Sequence, residues 1–112
     1  MAMQAHQLDA AFFALSDPTR RAILARLAAG EATVSELVAP FNLSQPTVSK
    51  HLKVLESAGL IEQGRDAQRR PRKLVPEAMK ELADWIDLFR DQWERRLNNL
   101  EAHVLNMQNG EK

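Results

Sequence analysis

The chain has 112 residues, of which 45% are hydrophobic, and its formal net charge at pH 7 is zero. This length fits a single domain, residues 1–112, with a modest core. Cysteine is absent, which excludes disulfides, thiolate metal sites and thiol redox chemistry. No apolar run reaches the roughly 18 residues of a membrane span, and no secretory hydrophobic segment is present. We therefore expect a cytoplasmic protein.

The charge is unevenly distributed along the chain. Residues 1–49 carry three basic and four acidic side chains, residues 50–75 carry seven and three, and residues 76–112 carry five and eight. A basic segment in an otherwise neutral or acidic chain is typical of a surface that binds a phosphate backbone. A solvated basic loop is the alternative, and the charge pattern alone favours neither.

Apolar residues at helical spacing predict a first helix over residues 6–15. Asp17 is a suitable N-cap, and Pro18 suits the first position of a second helix, which we extend to about residue 29. The apolar side of this second helix faces the predicted core. We expect Arg20 and Arg21 to point away from that side.

Two further helices follow in the order of a helix-turn-helix. Thr33 and Glu36 form a capping-box pattern at the start of a short third helix, which Pro40 is expected to end. After a connection of about four residues, Ser44 is a suitable cap for a fourth helix over residues 45–57. Two short helices in this arrangement, the second polar on its outer face, are typical of a DNA-binding helix-turn-helix.

The fourth helix has one apolar and one polar face. A projection at about 100° per residue places Val48, Leu52 and Leu55 together on the apolar face. The opposite face carries side-chain types that read base edges in a major groove. The predicted base contacts are Gln45, Thr47, Ser49 and Lys50. Lys53, one turn further on, is predicted to contact phosphate. We interpret His51, beside the apolar face, as a packing residue with local hydrogen bonds.

A basic β-hairpin is predicted directly after the fourth helix. Residues 60–65 and 70–75 have the patterns of two strands joined by a polar turn at 66–69, and Pro71 requires an edge position or a bulge. The arginines of this hairpin suit phosphates or a neighbouring minor groove. They are Arg65, Arg69, Arg70 and Arg72. A hairpin in this position is a wing, so residues 6–75 are predicted to form a DNA-binding core.

A long helix is predicted from residue 76 to about residue 107, which at 1.5 Å rise per residue is about 45 Å long. Ile86, Trp93 and Leu100 recur at an interval of seven residues within it. A core of this size cannot cover such a stripe, so we predict that the same helix of a second chain covers it in a homodimer. The predicted interface comprises Phe12, Ile86, Trp93, Leu97, Leu100 and Val104.

The predicted fold class is therefore mostly α with a small β-hairpin. It is a winged helix-turn-helix with about five helices, a two-stranded wing and a long C-terminal dimerisation helix.

Three stretches resemble the ArsR-type family of bacterial winged-helix repressors. They read DPTRRAIL at residues 17–24, LSQPTVSKHLKVL at 43–55 and AGLI at 58–61. The resemblance implies a homodimeric repressor of transcription that binds an inverted-repeat operator near its own promoter and is released by a signal. It also places Gln45, Thr47, Ser49 and Lys50 at the family's base-contacting positions. This chain lacks the thiols of the metal-sensing and persulfide-sensing members, so it resembles a cysteine-free, non-metal branch. Its last helix, with Trp85, Trp93 and the run ERRL at residues 94–97, resembles that of an autorepressor-like branch.

Other functions find less support in the sequence. No nucleophile with a His–carboxylate partner and no glycine-rich phosphate loop is present, so we expect neither an enzyme nor a cofactor. A metal site built on His103 has too few strong ligands for zinc but stays an alternative. An organic ligand near Trp85 and Trp93 is a second alternative, although the sequence identifies no inducer. A third is a helical protein-interaction module that uses the winged helix only as a scaffold.

Overall fold

The computed structural model describes residues 3–65 and 68–110. In chain order the elements are α1 (Ala5–Leu15), α2 (Pro18–Ala28), α3 (Val34–Phe41), α4 (Gln45–Ser57), β1 (Ile61–Gln63), β2 (Arg72–Leu74) and α5 (Pro76–Gly110). Within this part of the chain the predicted fold class is confirmed, with five helices and one two-stranded antiparallel sheet. The chain divides into two compact units, the first ending at Leu82 and the second beginning at Ala83.

The core of the first unit is formed by the inward faces of the helices and by the start of the hairpin. Ile23 on α2, Leu37 on α3, Leu55 on α4 and Leu60 before β1 are completely buried. Burying a side chain of this size is favourable by about 1.5–3 kcal/mol. Leu82 is also buried against this core. The first turns of α5 therefore belong to the first unit.

Side-chain caps begin α2 and α3 at the predicted residues. Asp17 Oδ2 accepts a hydrogen bond from the amide of Arg20 at 3.0 Å, and Thr33 Oγ1 accepts one from the amide of Glu36 at 3.2 Å. The Arg20 amide holds the pKa of the Asp17 carboxyl below its usual range, and the Thr33 amide does the same for Glu36. The stability that these carboxylates contribute is present above their ordinary pKa values and is lost as the pH falls through the lowered ones.

The third helix ends two residues later than predicted. Pro40 was expected to end it, but the helix continues to Phe41. The fixed φ of proline is compatible with a helix, and in the last turn its missing N–H removes only one hydrogen bond. The helix ends because Asn42 adopts the left-handed conformation, with φ of 52°. Asparagine enters that region more readily than most residues.

Arg20 is buried, and the prediction that it points away from the core is wrong. Its Nε donates to the carbonyl oxygen of Ala14 at 2.7 Å, and its Nη2 donates to that of Phe13 at 3.0 Å. Both carbonyls belong to the last turn of α1. The residue four positions after Ala14 is Pro18, which has no N–H to donate, whereas the Phe13 oxygen also accepts from Ser16. Arg20 therefore caps α1 from α2. Arg21 is exposed, as predicted, and donates to the carbonyl oxygen of Leu15 at 2.7 Å.

The two strands are shorter than predicted. Pro71 lies just before β2, and its carbonyl oxygen accepts from the amide of Gly64 at 2.6 Å. A Cβ at Gly64 would lie 2.9 Å from Pro71 Cγ, so this approach requires glycine. Arg72 pairs through its backbone with Ala32, which attaches β2 to the segment before α3. Residues 66 and 67 of the predicted turn lie outside the described residues.

In the second unit α5 is a helix that exposes its large apolar side chains in the isolated protomer. Trp85 and Phe89 form a tilted aromatic pair with ring centroids 4.7 Å apart. The members of the predicted interface on α5 are between 42% and 61% exposed. They are Ile86, Trp93, Leu97, Leu100 and Val104. No helix in residues 3–65 or 68–110 is both long and apolar enough to cross a membrane.

We expect Arg20→Ala to lower the free energy of unfolding by about 1–3 kcal/mol, because the Ala14 carbonyl oxygen loses its donor in a buried site. The Phe13 carbonyl oxygen keeps Ser16 as a donor. Urea unfolding followed by circular dichroism at fixed protein concentration measures the change. Arg21→Ala is the matched control and is expected to change stability by less than about 0.5 kcal/mol. Equal losses in the two variants would contradict the capping role of Arg20.

Candidate nucleic-acid interface

The outer face of α4 presents polar side chains to solvent because its opposite face is fixed in the core. Val48, Leu52 and Leu55 are at most 1% exposed, which sets the rotation of the helix about its axis. The predicted contact residues on the outer face are exposed. They are Gln45, Ser49, Lys50 and Lys53.

Thr47, the remaining predicted base contact, is half-buried in the first turn of α4. Ser44 Oγ accepts from the Thr47 amide at 3.3 Å and shares a 2.8 Å hydrogen bond with the Thr47 hydroxyl. The threonine therefore supports the helix cap as well as contributing to the polar surface. The N-terminus of a helix carries partial positive charge and favours a nearby phosphate. The first turn of α4 thus has two features that suit nucleic acid, its polar side chains and its helix end.

His51 is half-buried on the flank of α4 and faces the protein. Its Nδ1 lies 3.4 Å from Nη1 of Arg20 and 3.8 Å from Oδ2 of Asp17. Both neighbours lie at the start of α2, so the imidazole connects α4 to α2. This placement agrees with the interpretation of His51 as a packing residue with local polar contacts.

Arg72 differs from the other arginines of the hairpin because its side chain is paired within the protein. Its Nε donates to Glu56 Oε1 at 2.6 Å, and its Nη1 donates to the carbonyl oxygen of Arg70. Glu56 lies in the last turn of α4, so the ion pair orients the hairpin relative to α4. The position of Arg72 gives it a supporting role in the wing. A contact of Arg72 with DNA stays a prediction.

Sequence reasoning did not identify Glu56 as part of the site. The two partners lie 16 positions apart, on a helix and on a strand. No local spacing rule pairs such positions. The only signal was an acidic residue in a mainly basic segment.

The remaining predicted arginines lie at the tip of the hairpin. Arg65, Arg69 and Arg70 are all exposed. Arg70 has a φ of 45°, which is uncommon for a residue other than glycine, asparagine or aspartate. Lys73, nearer the core, forms an exposed 3.6 Å ion pair with Glu62. These arginines of the basic segment 50–75 therefore form a basic wing tip, which suits contacts with a phosphate backbone.

The sequence analysis left a metal site as an alternative, and the described part of the chain contains no cluster of ligands for it. Among residues 3–65 and 68–110, no group of three or more histidine, aspartate or glutamate side chains is arranged to hold a metal ion.

A short helix, a tight turn, a polar-faced helix and a basic hairpin define a winged helix-turn-helix protein. Residues 15–64 match a protein-family model described as a helix-turn-helix domain. This range contains α2, α3, α4 and β1, and so includes both helices of the motif.

Related proteins extend the match beyond the motif. The chain is 43% identical over 89 residues to the HTH-type transcriptional regulator Rv2034 of Mycobacterium tuberculosis, with 80% of each chain covered. It is 36% identical over 75 residues to the transcriptional repressor SdpR of Bacillus subtilis, covering 67% of this chain and 83% of that protein. The crystal structure of an ArsR family transcriptional regulator, RHA00566, superposes with a TM-score of 0.72 at 39% identity, covering 84% of this chain and 97% of that one.

The chain belongs to the ArsR-type family of winged helix-turn-helix transcriptional regulators. It is a DNA-binding transcriptional repressor. The family comprises transcriptional regulators and not enzymes, in agreement with the interpretation of the sequence.

We expect Arg72→Ala to lower the free energy of unfolding by about 1.5–3 kcal/mol, because it removes a partly buried hydrogen bond between charged groups. Glu56→Gln should weaken the same contact, and combining the two changes should cost less than the sum of the single losses. Urea unfolding of the two single variants and the double variant measures this coupling. Arg65→Ala is the control, as an exposed arginine of the same hairpin. Unchanged stability in Arg72→Ala with reduced DNA affinity would instead make Arg72 a direct DNA contact.

Proposed function

We propose that the protein acts as a homodimer that binds an inverted-repeat operator near its own promoter and blocks transcription there. The observation that carries this proposal is the long apolar stripe that α5 exposes in the isolated protomer. A repressor of this fold needs two copies of α4 to read a palindrome, and the stripe supplies a surface that joins two chains.

The size and chemistry of the stripe support a second copy of this chain as its cover. Single exposed apolar residues are common, but extended apolar patches on one surface usually mark an interaction site. Here apolar side chains recur along one helix from Ile86 to Met107 and are about half exposed. In a two-fold dimer the same surface meets itself, so one helix supplies both halves of the interface.

A dimer of this kind explains how so small a reading surface can be specific. One α4 reaches only a few base pairs. Two related by a dyad, with centres about 34 Å apart, enter successive major grooves on one side of a duplex. We assign base reading to the first turns of α4 and phosphate contacts to its later part and to the wing tip. The proposed base contacts are Gln45, Thr47, Ser49 and Lys50, and the proposed phosphate contacts are Lys53, Arg65, Arg69 and Arg70.

Leu97→Asp tests the dimer. Two buried carboxylates facing each other across the stripe should convert the dimer to a monomer in light scattering, with a loss of about ten-fold or more in affinity for the full operator. Asn98→Asp is the matched control, because it introduces the same charge at the adjacent exposed position of α5. A wild-type protein that stays monomeric at micromolar concentration would contradict the homodimer and favour a different protein as the partner of α5.

Gln45→Ala and Lys53→Gln test the division between base and phosphate contacts. Gln45→Ala should reduce discrimination between operator and random duplex by about 1–3 kcal/mol, because it removes a base contact. Lys53→Gln should weaken binding to both duplexes and reduce the salt slope of log affinity by about one per subunit. Fluorescence anisotropy with labelled duplexes at several salt concentrations measures both effects. Identical behaviour of the two variants would contradict the assignment.

A further inference from the structure

A groove between α1 and α4 in the first unit is not explained by operator binding. Its volume is about 470 Å³, within the range of about 300–1,000 Å³ that is usual for small-molecule sites. Alanines at positions 10 and 58 leave it open. The groove is lined by Ala10 and Phe13 from α1 and by Lys50, Lys53, Val54, Ser57 and Ala58 from α4 and its end.

The lining separates into an apolar part and a cationic part. Phe13 is 64% exposed although it is aromatic, and Val54 lies across the groove from it on the neighbouring helix. Lys50 and Lys53 are exposed and three positions apart, so their side chains are neighbours on one helix face. Within residues 3–65 and 68–110, neither lysine forms an ion pair with a carboxylate. The groove therefore places beside an apolar trough two ammonium groups that no carboxylate among the described residues neutralises.

This combination selects one ligand chemistry. A neutral apolar molecule would leave the two ammonium groups unused, and a small inorganic anion would leave the apolar trough unused. A single-chain amphiphile with an anionic head satisfies both parts, because its chain can lie against the apolar side chains while its head accepts hydrogen bonds from lysine.

We propose that the groove binds a free single-chain carboxylate of the fatty-acid class, with its chain against Phe13 and Val54 and its carboxylate on Lys50 and Lys53. The same two lysines are assigned to DNA under the proposed function. A bound carboxylate neutralises them and places negative charge where the DNA backbone must approach. Ligand binding therefore lowers operator affinity. This consequence rests on the proposed function, whereas binding of the carboxylate does not.

The first experiment measures binding to the full chain without DNA. Decanoate is titrated below its micelle concentration by calorimetry, with acetate and 1-decanol as controls for the head and the chain. We expect one decanoate per chain and affinities at least about ten-fold lower for both controls. Amide shifts in NMR should be centred on Ala10, Val54 and Ser57. No saturable binding of decanoate, or binding only to anionic vesicles, would overturn the proposal.

Four variants locate the site. Phe13→Ala removes an exposed wall and Lys53→Gln removes one charge, and each should weaken decanoate binding by about ten-fold. Phe89→Ala and Lys73→Gln are the matched controls, an exposed aromatic residue on α5 and a lysine on β2, and should leave binding unchanged. Circular dichroism confirms that each variant is folded. Unaltered binding in Phe13→Ala and Lys53→Gln would place the ligand elsewhere and overturn the proposal.

A fifth variant separates ligand binding from DNA binding. Ala10→Leu narrows the groove without changing any charge, so it should weaken decanoate binding and keep operator affinity. Decanoate should lower operator affinity of the wild type, and a higher decanoate concentration should be needed for the same effect on Ala10→Leu. Decanoate that binds without lowering operator affinity would overturn the regulatory consequence. If the wild type did not bind its operator, the proposed function would fail, and the titration without DNA would still decide the groove. If a second protomer covered the groove in the absence of decanoate, the proposed ligand site would be overturned.

Discussion

The burial of Val48, Leu52 and Leu55 along one face of α4 fixes this helix in the core and determines which side chains it exposes. Each buried aliphatic side chain is favourable by about 1.5–3 kcal/mol, whereas an exposed polar contact contributes at most about 1 kcal/mol. The apolar face therefore sets the rotation of the helix. The outward direction of Gln45 and Ser49 follows from it, so the exposure of the polar face proposed to read DNA is a consequence of core packing.

Two arginines act as internal supports between elements of the fold. Arg20 connects α2 to the end of α1, and its Nη1 lies beside His51 of α4. Arg72 connects β2 to α4 through Glu56. Each guanidinium offers several donors in a rigid plane, so one side chain can contact two elements at once. The positions of the wing and of α4 relative to the core depend on these charged contacts as well as on apolar packing.

Much of the fold could be predicted because its signals are local. Ser44 caps α4 through the amide three residues ahead, and Gly59, with φ of 76°, follows the end of the helix, so the predicted range 45–57 agrees with the structure. The predicted capping box at Thr33 is also present. Pro40 was a weaker signal than Asn42, because proline at the end of a helix removes one hydrogen bond whereas a left-handed residue changes the direction of the chain.

The order of the helices, the hairpin, the apolar face of α4 and the family could be predicted from the sequence, since periodicity, caps and motif spacing are properties of neighbouring residues. Three features arise only when the elements pack together: Arg20 is buried, Arg72 pairs with Glu56, and Phe13 and Val54 line one groove. The pairing of Arg72 and the groove join residues at least 16 positions apart, and Arg20 reaches back from α2 to the carbonyl oxygens of α1. Helical periodicity states which face of one helix is apolar, but the groove between two helices depends on their packing, which no single segment encodes.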